Sequence, residues 1–195
     1  MGTANKEYQA QLRQLAELML AVSGESVTMM KRNAPEQALK LKRQDEWGIY
    51  LEFLKVMFNL TDRLTALHIP LKDQMEFMNG LEDAVTTQLK AVLEPAFGNN
   101  ADQMEIVLTV GNAVAESRDL YEKYKFLITE DSKAKNELFQ TFSERVAQAL
   151  GVPQNGQVIA AATLCASAII PAISAVLLGQ APPTAAPSKI GRAHV

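Results

Sequence analysis

The stretch that decides the fold is Asp45–Leu67, DEWGIYLEFLKVMFNLTDRLTAL. Large apolar residues recur in it at spacings of three and four along more than one side of a helix, and only a narrow line is polar. A helix that is apolar on nearly every side belongs in the middle of a bundle, because each side has to be covered by another element. The stretch therefore predicts an all-α fold with residues 45–67 as the central helix.

Helical periodicity continues through nearly all of residues 5–178, and no stretch alternates as a half-buried strand does. Glycine and proline divide this region, and Gly24 is placed to end the first helix in a left-handed cap. The helices predicted after it are 35–43, 45–67, 71–93, 102–127, 130–150 and 158–178. Short connections make successive helices antiparallel neighbours. We expect a compact bundle of five to six helices, with 35–43 as a short helical connector.

We expect a single helical domain over residues 1–179. Residues 180–189 are rich in proline and alanine and cannot continue a helix, so they are predicted to be a tail or a linker. The last residues, IGRAHV at 190–195, match one reading frame of a widely used sequencing adapter. We therefore expect residues 190–195 to be an artefact of an environmental, microbial sequence, with a natural polar tail as the alternative.

Composition limits the class of partner and the compartment. Lys and Arg number 19 against 22 Asp and Glu, which leaves a net charge of −3. No overall basic field therefore indicates a nucleic-acid partner. The single cysteine, Cys165, excludes an internal disulfide and a zinc site built on cysteine pairs. We expect a reducing, cytoplasmic compartment.

Motifs for catalysis and for metal binding do not occur in the sequence. It has no Gly-x-Ser-x-Gly elbow, no Walker loop and no Gly-x-Gly-x-x-Gly fingerprint. Setting aside His194 in the adapter-like segment, His68 is the only histidine, and no acidic residue precedes it by three as in di-iron bundles. We expect no metal, no cofactor and no catalytic residue, which argues against an enzyme.

The polar line on the central helix is the strongest candidate for a site. It is formed by Gly48, Glu52, Lys55, Asn59, Asp62 and Ala66, at steps of four and three, with Arg63 beside it. We expect this line to be the solvent-exposed edge of the helix. The alternative is a buried polar site in which Asp62 pairs with Arg63 or His68. The candidate ligand-binding residues on that alternative are Glu52, Lys55, Asn59, Asp62, Arg63 and His68.

The segment Val158–Leu178 carries no charged residue and is long enough to cross a bilayer. Pro171 and the lack of aromatic or charged anchors at its flanks favour burial in the bundle instead. We expect it to pack against the central helix, with the small residues Ala160, Ser167 and Ala175 allowing the close approach of bulky neighbours.

These observations favour a non-catalytic helical interaction module whose partner is another protein or a second copy of the chain. Two alternatives stay open. One is a membrane-associated protein held by Val158–Leu178. The other is a small-ligand binder or enzyme that uses the polar line, for which a pocket with Asp62 or His68 in its wall would be the distinguishing observation.

Overall fold

The structure is a computed structural model that describes residues 7–97 and 103–180. Within those residues it contains seven helices and no strand, and 83% of the described residues are helical. The all-α prediction is confirmed, and the count exceeds the expected five to six because the short α2 forms a helix of its own. The helices are α1 (Gln9–Asn33), α2 (Pro35–Ala38), α3 (Arg43–His68), α4 (Leu71–Phe97), α5 (Gln103–Tyr121), α6 (Lys133–Ala149) and α7 (Gly156–Leu177).

The central position predicted for residues 45–67 is confirmed. Helix α3 contacts each of the other long helices, namely α1, α4, α5, α6 and α7. Every residue from 52 to 60 is buried. Because α3 is apolar on nearly all sides, it has to be surrounded in this way, and the other helices form a ring around it.

The ring around α3 is open on one side. Helix α7 packs on α1, α1 on α4, α4 on α5, and α6 on α7, but α5 and α6 do not pack closely on each other within the described residues. Residues 122–132 connect these two helices across the opening. No described helix covers α3 at this opening, so the polar line of α3 can be covered there only by side chains that reach across from α5 and α6.

The prediction that Gly24 ends the first helix is wrong. Helix α1 continues to Asn33, and Gly24 lies in its interior. Residues on both sides of the glycine, including Ser23, Ser26 and Met30, are buried against the bundle. This burial keeps the helix intact, because the cost of about 1 kcal/mol for a glycine in a helix is small beside the packing of a further two turns.

Other helix ends also differ from the sequence-based bounds. Helix α4 continues to Phe97 rather than 93, whereas α5 ends at Tyr121 rather than 127 and α6 begins at Lys133 rather than 130. Ser132 caps α6, its side chain accepting a hydrogen bond from the Lys135 backbone N–H. The start predicted at residue 102, the tail residues 181–189 and the adapter-like residues 190–195 lie outside the described residues.

Helix α7 packs against α1, α3 and α6, so the predicted contact with the central helix is confirmed. The face that makes the contact differs from the prediction. Ala160 and Ser167 are exposed, whereas Ala162 and Ala166 are fully buried and allow the close approach. Helix α7 is therefore covered on one face and open on the other, rather than enclosed in the core.

Truncation of a buried side chain of α7 tests whether the helix belongs to the core. Ile173 is fully buried, and Leu178 at the end of α7 is 54% exposed. We expect Ile173→Ala to lower the free energy of unfolding by about 2–5 kcal/mol because it leaves a cavity. Leu178→Ala should change it by no more than about 0.5 kcal/mol. The free energy of unfolding of both variants is measured in urea. A loss for Ile173→Ala as small as that for Leu178→Ala would show that α7 contributes little to the core.

Candidate functional site

The middle of the polar line of α3 is buried, whereas Asp62 and Ala66 at its end are exposed. Glu52, Lys55 and Asn59 are only 7%, 8% and 7% accessible to solvent. The expectation of a solvent-exposed edge is therefore wrong for these three residues. Long side chains from α5 and α6 reach across the opening in the ring and cover the line.

Four charged side chains meet over α3 in this opening, and we call them the charge cluster: Glu52, Lys55, Glu116 and Arg145. Arg145 of α6 donates two hydrogen bonds of 2.8 Å to the two carboxylate oxygens of Glu52. The Nζ of Lys55 lies 3.0 Å from Oε1 of Glu52 and 2.6 Å from Oε2 of Glu116 on α5. Two cations thus balance two carboxylates, and α3 is joined to both α5 and α6.

The electrostatics of the cluster hold Glu52 as a carboxylate. Burial on its own raises the pKa of Glu52, but the hydrogen bonds and charges of Arg145 and Lys55 outweigh it, so the pKa lies below the ordinary value. The hydrogen bond to Glu52 in turn raises the pKa of Arg145. The bidentate geometry is the strong form of an arginine–carboxylate pair. A carboxylate engaged in this way is poorly suited to general acid–base chemistry, which needs a pKa near the operating pH.

Tyr121 lies beside the charge cluster with its side chain fully buried. Within the described residues its hydroxyl makes no hydrogen bond of ordinary geometry, although Arg145 lies near enough to act on its pKa. Burial raises the pKa of Tyr121, and the nearby Glu52 raises it further. The phenol therefore stays protonated, and it does not supply the activated base or nucleophile of an active site.

Asn59 and Arg63 hold the segment that crosses the opening. Nη2 of Arg63 donates to the backbone carbonyls of Tyr121 and Tyr124 at 3.0 and 2.8 Å, and its Nε donates to Oδ1 of Asn59 at 2.8 Å. The guanidinium carbon lies 4.2 Å from the ring centroid of Phe126. A cation at the carbonyl end of α5 also interacts favourably with the helix dipole. Through these contacts Asn59 and Arg63 stabilise the end of α5 and the segment that follows it.

The pairings considered for Asp62 do not form. Asp62 is exposed, and no hydrogen bond joins it to Arg63 or His68 in the described structure. Arg63 turns towards the end of α5, and Nε2 of His68 lies 3.1 Å from Oγ of Ser174 on α7. The six candidate residues therefore do not form one site. Glu52 and Lys55 belong to the charge cluster, and Asn59 and Arg63 hold the end of α5. Asp62 is exposed, and His68 contacts α7. Ligand binding by the six residues stays a prediction.

A groove of about 480 Å³ lies between α6 and α7. Its wall contains neither Asp62 nor His68, so it does not supply the observation that would favour a ligand site on the polar line. Uncharged polar side chains alternate with apolar ones along it, and it is lined by Asp131, Lys135, Asn136, Phe139, Gln140, Ser143, Ile159, Thr163, Ser167, Ile170 and Pro171. The sequence signal for this groove was a set of amide and hydroxyl residues spaced by three or four on two helices joined by a short loop.

The outer face of α7, next to this groove, is apolar and exposed. Leu164 is 70% exposed and Leu178 is 54% exposed. Small or uncharged residues surround them, and the outer face comprises Gln157, Ala160, Leu164, Ser167, Ala168, Pro171 and Leu178. In the part of the chain that the structure describes, α7 is the one helix long and apolar enough to cross a membrane, and 33% of its most apolar stretch is buried.

The described residues contain no group of three or more His, Cys, Asp or Glu side chains arranged to hold a metal ion. Cys165 lies on α7 with its Sγ 3.4 Å from Sδ of Met29 on α1. Burial raises the pKa of this thiol, which keeps it protonated and weakly nucleophilic.

Comparisons of the chain with protein-family models, with curated proteins and with solved structures find no match.

Replacing Glu52 tests whether the charge cluster holds the fold together. The side chain of Glu52 is 9% exposed and that of Arg145 is 33% exposed. We expect Glu52→Gln to lower the free energy of unfolding by about 2–3 kcal/mol, below the value for a fully buried pair because Arg145 keeps some contact with water. The matched control is Arg13→Gln, which breaks an exposed pair with Glu17 and should cost less than about 1 kcal/mol. Similar losses in the two variants would contradict a structural role for the cluster.

The lowered pKa of Glu52 also predicts a dependence of stability on pH. Its ordinary value is 4.5, and the folded protein holds it lower. The stability that this shift contributes is fully present above the unfolded pKa and is lost as the pH falls through the folded pKa. We expect the free energy of unfolding to fall between about pH 5 and 3, and Glu52→Gln to flatten that decline. The test is the free energy of unfolding of the wild type and of Glu52→Gln, measured over this pH range. Parallel curves for the two proteins would show that Glu52 does not cause the decline.

Proposed function

We propose that this protein is a non-catalytic helical interaction module that binds a partner through the outer face of α7. The observation that carries the proposal is the exposure of Leu164 at the middle of an uncharged helix face. Contiguous exposed apolar surface is uncommon on proteins that act alone, and it is typical of contact sites.

The chemistry of the opening between α5 and α6 supports a non-catalytic role. Lys55 and Arg145 both donate to Glu52, and Arg63 donates to backbone carbonyls. Groups that already use their hydrogen-bonding capacity inside the fold have little left for a substrate. The partner-binding surface is therefore sought on the outside of the bundle.

Membrane association through the same face is a second candidate, favoured by the length of α7 and its mean hydropathy of 2.1. The buried inner face of α7 argues against a span. If α7 kept its contacts in a bilayer, charged residues of the adjacent α6 such as Lys135 and Glu144 would enter the hydrocarbon at high cost. If α7 left the bundle, α1, α3 and α6 would lose their cover. A surface contact fits better.

A displayed library of helical peptides tests the proposal without requiring a known partner. The immobilised chain is compared with Leu164→Glu, which puts a charge into the middle of the outer face. The matched control is Ala115→Glu, which adds the same charge at an exposed position of α5. We expect apolar helical clones to be enriched on the wild type and on Ala115→Glu, and enrichment to fall by at least tenfold on Leu164→Glu.

Cosedimentation with neutral and anionic phospholipid vesicles separates the two candidates. Vesicle binding that Leu164→Glu abolishes, in the absence of enriched clones, would favour the membrane candidate. If neither peptides nor vesicles bind in a manner that depends on Leu164, and the chain also does not associate with itself through Leu164, the outer face of α7 is not a binding surface and the proposal is wrong.

A further inference from the structure

We propose that the occupant of the outer face of α7 is the same face of a second copy of this chain, in an antiparallel pair with a twofold axis near Leu164. This inference depends on the proposed docking face and adds the identity of the partner.

Charge is the first reason to choose a second copy. No charged residue occurs between Arg145 and Lys189, so the whole of α7 and its flanking turns are neutral. A partner that placed Lys, Arg, Asp or Glu against Leu164 would bury that charge without a counter-ion, which is costly. A second copy brings an equally neutral, apolar face.

The order of residues along α7 is the second reason, because it is nearly symmetric about Leu164. Alanines lie four residues away on either side, at 160 and 168, and small residues lie three away on either side, Ala161 and Ser167. A twofold axis at Leu164 brings each antiparallel helix into register with its copy. Ala160 then meets Ala168 of the second copy, and Ala161 meets its Ser167.

This register suits close packing of the two helices. Small residues on both sides of Leu164 let the two helices pack at an interaxial distance within the usual range of about 8–10 Å. The two Leu164 side chains lie next to each other between these small residues, where each fills the hole left by the alanines of the other copy. An interface of this kind is isologous, since the same patch serves on both copies.

The surface on either side of α7 extends the contact. On the α1 side Met29, which is 39% exposed, lies against Cys165 and widens the apolar strip. On the α6 side the groove carries Asn136 and Gln140, which are suited to a polar rim. A helix of this length is about 33 Å long. With the axis at Leu164, α7 of one copy overlaps α7 of the other over residues 156–172, a length of about 25 Å.

Disulfide trapping of the full chain tests the axis directly. Cys165→Ser is the background, so that an introduced cysteine is the only thiol. Leu164→Cys places the thiol at the proposed axis, where two copies meet within disulfide distance. Leu178→Cys is the matched control on the same face. It lies 14 residues from the axis, so its thiols are about 40 Å apart in the pair.

Under mild oxidation we expect Leu164→Cys to give a covalent dimer and Leu178→Cys to stay monomeric. A mixture of Ala160→Cys and Ala168→Cys should give the mixed dimer in excess over either self-dimer. Light scattering of the wild type should give about twice the chain mass of 21.4 kDa, and Leu164→Glu should give a monomer with unchanged helix content.

A monomeric wild type, or equal cross-linking at residues 164 and 178, would overturn the pairing. If Leu164→Cys does not cross-link while displayed peptides still bind in a manner that depends on Leu164, the docking face stands and its partner is another protein. If only vesicles depend on Leu164, both the pairing and the proposed function are wrong.

Discussion

The bidentate pair between Glu52 and Arg145 allows a helix with a polar line to lie in the centre of the bundle. A central helix has to be covered all round, yet α3 carries a polar line, and the ring of neighbours is open where that line emerges. A buried carboxylate without a partner would cost several kcal/mol, and Arg145 from α6 removes this cost with two hydrogen bonds of 2.8 Å. Lys55 then joins the same carboxylate to Glu116 of α5. Charged side chains thus close the one side of the core that apolar packing leaves open.

The connection between α5 and α6 follows from the same opening. Since these helices do not pack closely on each other, residues 122–132 have to span the gap, and polar contacts hold them there. Arg63 donates to the carbonyl of Tyr124 in this segment and to that of Tyr121, the last residue of α5. Nζ of Lys135 lies 3.1 Å from the carbonyl of Ile128, and the hydroxyls of Tyr124 and Thr141 lie 2.6 Å apart. These contacts hold the end of α5 and the non-helical segment that follows it. This is why α5 stops at Tyr121 although helical periodicity continues beyond it.

The sequence predicted the features that depend on one helix at a time. Apolar residues on all sides identified α3 as central, and the uncharged run at 158–178 identified α7 as its neighbour. The environment of Glu52 could not be predicted, because Arg145 lies 93 residues away along the chain. Periodicity states which residues share a face, whereas the partner of that face depends on how the ring closes. For the same reason the sequence does not show that Arg63, next to Asp62 in the chain, binds backbone carbonyls 58 and 61 residues away while Asp62 is exposed.

Helices α3 and α7 are both apolar on most of their surface, but only the position of α3 in the centre of the bundle requires this. A helix in the centre has to be apolar on every side, whereas a helix in the ring needs apolar residues only on its inner half. Helices α4 and α5 also expose some apolar side chains, such as Met75 and Leu108. Helices α1 and α6 carry exposed ion pairs on their outer sides, namely Arg13–Glu17 and Lys133–Glu137. Helix α7 has none on its outer half, where Leu164 is 70% exposed. Burial inside the bundle does not account for an apolar residue at that position, since a polar side chain there would cost folding almost nothing. The docking proposed for this face would account for the composition of the outer half, because a face without charge suits a partner surface without charge.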